Sequence, residues 1–262
     1  MLSYVNNMLT IPSLRPHLLG LALLGILGVV TLAWYGPIAQ DQSYHHFADQ
    51  RSWLGIPNAG DVISNLAFAL VALAAIPVLG RATWAVPSDR WPWIISVGTL
   101  LMTALGSGYY HWAPADGPLF WDRLPLSLTI AALAAATLGE RCSPRRTPQL
   151  LAVLLPLAAL ATCSWRWSGD LRPYAIAQFL PLLMIAWLAL AVPARYDRSR
   201  DPLIAALFYL AAKLGEHFDA QILAALGGTV SGHTLKHLAA ALGGWWLVRM
   251  LERRRPIEAD IR

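Results

Sequence analysis

Residues 94–111 read IISVGTLLMTALGSGYYH. With Trp91 to Trp93 before it, this apolar run is long enough to cross a bilayer as a helix at about 1.5 Å per residue. It ends in Gly106-Ser107-Gly108-Tyr109-Tyr110-His111. Ser107 and His111 are four apart, so on a helix they share a face, one turn from each other. Asp122 follows after a turn built from Pro114, Asp116, Gly117 and Pro118, and it opens the next apolar run. The same chemistry recurs in His233-Thr234-Leu235-Lys236-His237, at the start of the last apolar run. Imidazoles and a carboxylate at the edges of membrane-crossing helices are costly to place there and point to a function.

Composition agrees with a membrane protein. Of 262 residues, 56% are hydrophobic and 13% charged, against about 25% charged in a soluble domain. Mean hydropathy is +0.48. Many of the 12 tryptophans stand near the ends of apolar runs, as in interfacial belts. The net charge of +5 does not signal nucleic acid, because the arginines occupy short loops between spans and form no groove-lining stripe. Cys142 and Cys163 give neither a metal motif nor a disulfide framework.

The apolar runs predict an all-α polytopic membrane bundle of eight helices, over 17–35, 61–79, 91–110, 120–138, 150–163, 173–192, 202–220 and 232–250. The first lacks a small-residue cleavage site and is expected to be a retained span and not a signal peptide. Pro156 and Pro181 are expected to bend their helices. Of the 20 Lys and Arg, four (Arg51, Arg123, Arg166, Arg172) fall on one side of such a bundle, two (Lys213, Lys236) within spans, and the other 14 on the opposite side. By the positive-inside rule both termini are cytoplasmic. Ser107, His111, Asp122, His233 and His237 then share the outer half of the membrane, with the polar segment 41–58 as a cap over them. The triplet Arg253-Arg254-Arg255 reads as a topology anchor at anionic lipid.

Three imidazoles form a first shell for a catalytic zinc that leaves one position open. His233 and His237, at i and i+4, can reach one ion from one helix, and His111 supplies the third ligand. Asp122 is the candidate base and Ser107 its hydrogen-bonding neighbour. Plainer readings stand beside these. Ser107 between two glycines suits close helix packing, and Asp122 suits a helix-start ion pair with Arg123. His45 and His46 read as loop residues. His217 belongs to a local ion-pair cluster of Lys213, Glu216 and Asp219. Lys236 points away from the His233/His237 face and is expected to pair with Glu216 or Asp219. Zinc without enzymatic activity, in a receptor or scaffold, and haem held by histidines of two spans are the other functional readings.

The order Ser107-x3-His111, Asp122, His233-x3-His237 resembles the alkaline ceramidase family, part of a superfamily of seven-span hydrolases that includes the progestin and adipoQ receptors. Ser64-Asn65 with Phe68 adds to the likeness, and 46–51 with 54–58 resembles the bacterial branch. The resemblance covers residues 44–250 as the seven-span domain. It leaves 1–43 as an added N-terminal span with the start of an external loop, and 251–262 as a basic cytoplasmic tail. It implies zinc at His111, His233 and His237, catalysis by Asp122 and Ser107, a ceramide or other N-acyl lipid as substrate, and a bacterial inner-membrane location. The family carries an acidic calcium segment before its first span, with glutamate six residues before the serine. That position is Asn58 here, which leaves Ca2+ in doubt.

Overall fold

Each predicted apolar run forms a helix in the computed structural model, which describes residues 14–257. The predicted ends beyond it, including Arg262, lie outside the described residues. The helices are α1 Leu14–Tyr35, α2 Ala59–Ser64, α3 Leu66–Arg81, α4 Arg90–Trp112, α5 Asp116–Arg141, α6 Thr147–Ser168, α7 Arg172–Ala191, α8 Asp201–His217, α9 Asp219–Ala225 and α10 Gly232–Arg253. No strand occurs among the described residues. Five stretches, Pro16–Tyr35, Ala59–Arg81, Asp116–Arg141, Thr147–Ser168 and Arg172–Ala191, are long and apolar enough to cross a membrane. The other long helices, α4, α8 and α10, carry Ser107, His111, Lys213, Glu216, His233, Lys236 and His237.

Loop contacts sort the helix ends into two sets. At one end the Ile38 N–H donates to Asp170, Gln42 to Asp116, and Arg51 to the Thr229 carbonyl. At the other, Thr83 donates to the Arg254 carbonyl, the Ala85 N–H to the Tyr196 hydroxyl, and Arg195 to Asp89. Successive long segments therefore alternate in direction. Helices α3, α4, α5, α7, α8 and α10 pack pairwise into a closed ring, with α6 against α5 and α7 outside it and α1 on α7. In α5, Ala131, Ala132, Ala134, Ala135 and Ala136 are buried. Such small side chains let backbones approach where lipid offers no hydrophobic drive between helices. Helix α1 keeps most of its apolar surface exposed, including Leu19, Leu23 and Leu27.

Two expectations change. The second predicted span is broken at Asn65, because the Asp61 carbonyl accepts from Ser64 Oγ at 3.0 Å and from Asn65 Nδ2 at 2.7 Å. Side chains have replaced a helical N–H as donors there. Arg254 is no lipid anchor: it is 1% exposed, donates to Glu140 at 2.7 Å, and lies over Tyr196, Trp84 and Trp93. An aromatic cage and a carboxylate hold a guanidinium better than a lipid surface does.

Candidate metal centre

The site is assembled where α4, α5 and α10 meet at one end of the ring. Gly106 sets the α4–α5 distance. A Cβ added there would lie 2.7 Å from the Trp121 carbonyl carbon and 3.3 Å from the Asp122 nitrogen, so only glycine lets these backbones touch. That approach places Ser107 beside Asp122. Among the described residues Asp122 closes no ion pair with Arg123, so the helix-start pairing does not form.

Helix α10 is fixed at its start. Ser231 caps it by accepting from the Thr234 N–H at 2.9 Å. Ser231 and Thr234 hydroxyls both donate to Asp61 Oδ1, at 3.1 and 2.7 Å. Asp219 accepts from the His233 N–H at 2.7 Å and from the Ala48 N–H at 3.0 Å, joining α10 to the segment above the site. At Gly232 a Cβ would sit 2.8 Å from the Asp219 Cα, so a side chain there would part the two.

His111, His233 and His237 are buried, at 1%, 4% and 2% exposure. Their ring centroids are 4.7, 4.8 and 5.0 Å apart, and one nitrogen from each lies within 4.8 Å of the others. Among the described residues this is the one cluster of three or more such side chains placed to hold a metal ion. The donor chemistry fits. His111 Nδ1 is buried without a hydrogen-bond partner, a costly state for a polar atom unless a ligand takes it. His237 Nδ1 lies 2.8 Å from Ser64 Oγ, whose own proton points to the Asp61 carbonyl. The serine oxygen therefore accepts from Nδ1–H, and Nε2 is left with its lone pair for a metal. The Asn58 side chain donates to the His111 carbonyl at 2.8 Å and steadies the third imidazole.

Phe47 covers the cluster, its ring 4.6 Å from that of His111 and 5.0 Å from that of His233. His45 is more than a loop residue: it bridges the Tyr110 hydroxyl at 2.9 Å and Asp116 at 3.0 Å. The segment 41–58 does form the cap. Arg51 pairs with Asp49 at 2.7 Å, and hydrogen bonds from Arg51 hold the Asp49 carboxyl below its usual range. Below the cluster a cavity of about 440 Å³ runs through the ring, bordered by Ser107, Asp122 and His237 at this end and by Glu140 and Arg254 at the other.

All five residues singled out from the sequence thus converge, with Asp122 outside the three-imidazole group. His217 is exposed and lies apart from the cluster. Lys236 meets one expectation, its pairing with Glu216, and departs from the other, that it points away from the histidines. It pairs with Glu216 and also reaches His233 Nε2 at 3.2 Å, because residues three apart on a helix are neighbours. Glu216 also binds Lys213 and accepts from the Tyr44 hydroxyl at 3.0 Å. Desolvation and the Glu216 carboxylate push the Tyr44 phenol well above its usual range, so it remains a donor. Asp219 holds backbone N–H groups where a lysine partner was expected. Comparison with protein-family models, with curated proteins and with solved structures gives no match to this chain.

Proposed function

We propose that this chain is a zinc-dependent membrane amidohydrolase that cleaves the amide of ceramide or a related N-acyl lipid to a sphingoid base, or amine lipid, and a fatty acid. The observation that carries the reading is the cavity: largely apolar walls along the ring, with His237, Ser107 and Asp122 grouped at one end. An acyl chain lies between the helices and its amide reaches the polar end. Zinc held by His111, His233 and His237 would supply a Lewis acid and lower the pKa of water to about 7. Asp122 takes a proton from the attacking water and delivers it to the amide nitrogen as the C–N bond breaks. Hydroxyl goes to the acyl carbon and hydrogen to the leaving amine. Ser107 orients the carboxylate for both transfers. Phe47 shields the reacting end from bulk water. The arginine asymmetry supports a site in the outer half of the membrane with both termini cytoplasmic, in a bacterial chain the inner membrane.

Purified protein should carry zinc and release fatty acid from a labelled ceramide. Asp122→Asn keeps the shape and removes the base, so zinc stays and turnover falls by about 10²-fold or more. Full turnover in this variant would reduce Asp122 to a structural group. Zinc without hydrolysis of any N-acyl lipid would leave a receptor or scaffold, and a Soret band in its absorption spectrum a cytochrome.

A further inference from the structure

Arg123 is 6% exposed and borders the cavity beside Asp122. Its guanidinium lies over Trp165 at 4.3 Å, Tyr174 at 4.7 Å and Tyr44 at 5.7 Å. Rings stacked on a guanidinium satisfy its faces and leave its edge N–H groups to find acceptors. One edge is used, Nη2 donating to Gln40 at 2.7 Å. Nη1 is buried without a partner. No carboxylate of the described residues forms an ion pair with it.

That state is expensive. A desolvated charge without a counter-ion is strongly unfavourable. The other buried guanidiniums along this cavity differ: Arg254 has Glu140 as its counter-ion, though its Nε and Nη2 are also without partners, and Arg141 gives both terminal nitrogens to the Val192 and Ser199 carbonyls. At the Arg123 end, the cavity is bordered by Arg123, Lys213 and Lys236 against Asp122 and Glu216. Glu216 is taken by the two lysines. Asp122 lies beside Ser107, and its charged neighbours are Lys236, then Arg123 and Glu216, with no ion pair closed to Arg123. One positive charge is left over, before any metal adds to it.

We infer that Arg123 seats an anionic group, a carboxylate or a phosphate ester, carried by the amphiphile that occupies this cavity. The inference rests on the lipid-amidase reading for the kind of molecule bound and narrows it: the preferred N-acyl lipid bears its negative charge close to the amide, within reach of Nη1.

The test uses ligands with no bond to cleave. Full-length zinc-loaded protein in phosphatidylcholine nanodiscs is titrated with oleate, oleyl phosphate and oleyl alcohol, following tryptophan fluorescence. An anionic head should bind about 10- to 100-fold more tightly than the alcohol, the scale of one charge-assisted hydrogen-bonded pair. Arg123→Gln should bring that ratio close to one. Where that variant does not fold, Arg123→Lys keeps the charge, loses the planar fork, and should lower the ratio several-fold. Oleate ahead of oleyl phosphate assigns a carboxylate head, and the reverse a phosphate. Equal affinity for acid and alcohol, a ratio untouched in the variants, or displacement by micromolar inorganic phosphate overturns the inference. Hydrolysis of neutral ceramide with no acidic preference would remove it and leave the amidase. Acidic preference with no hydrolysis of any N-acyl lipid would do the reverse.

Discussion

Gly106→Ala tests the geometry that brings Asp122, the proposed base, to the three-imidazole cluster. Alanine is the better helix former by about 1 kcal/mol, so propensity alone predicts a more stable protein. The contact predicts the opposite. The new methyl would meet the Trp121 carbonyl carbon at 2.7 Å, where ordinary contact begins at 3.4 Å. Helices α4 and α5 must part by about 0.7 Å or more to relieve it. Overpacking of this kind costs about 1–3 kcal/mol, which cancels or exceeds the propensity gain. The functional effect is larger, because the histidines stand on α4 and α10 while Asp122 stands on α5. Parting α4 from α5 withdraws Asp122 from His111, and if the proposed mechanism holds a displacement near 1 Å costs about 10²-fold in rate. The assay is fatty-acid release from labelled ceramide in nanodiscs, with zinc content and a thermal melt on the same sample. We expect zinc bound, melting unchanged or lower, and turnover down about 10²-fold. Wild-type turnover with a raised melting temperature would refute the reasoning.

Three further outcomes are expected. His233→Ala or His237→Ala should remove zinc and turnover together while His217→Ala retains both, read by metal analysis after gel filtration; equal loss in His217→Ala would displace the ligand set. Ser64→Ala frees the His237 tautomer and should weaken zinc binding by about 10- to 100-fold in a chelator competition, and an unchanged affinity would make Ser64 a packing residue. Asp170, held to about 2 chiefly by its Arg172 hydrogen bonds, ties Ile38 and thereby the end of α1 to the bundle. Because its folded pKa is depressed, its contribution is complete above about pH 4 and is lost from there down to about pH 2. Hydrogen exchange at residues 36–40 should accelerate through that window and stay flat above it, and Arg172→Ala should move the onset toward neutral pH.

The bundle was legible because runs of about twenty apolar residues have few other uses. The triad was legible because His233 and His237 share a helical face and His111 ends a run of the right direction. What escaped was non-local. The break at Asn65 depends on two side chains competing for one carbonyl, and Ser64-Asn65 alone does not say which carbonyl. Arg254 looked like a lipid anchor because Glu140, Trp84, Trp93 and Tyr196 are distant in sequence. Lys236 was misread from information that was present: three residues after His233, it had to lie beside that ring. The uncompensated charge of Arg123 could be seen only once the positions of every acid around it were known.

The ring of helices closes at the contact between α3 and α10, and this orders its biosynthesis. The ribosome delivers α3, α4, α5, α7 and α8 before α10. Until then Asp122 and Glu216 lack Lys236 as a charged neighbour, and His111 lacks the two imidazoles it faces. His233 and His237 arrive together on one helix. Closure of the ring and completion of the three-imidazole cluster therefore fall in a single late event. A chain stalled before residue 233 would expose those charges within the bilayer, and that is the form a membrane quality-control protease would meet.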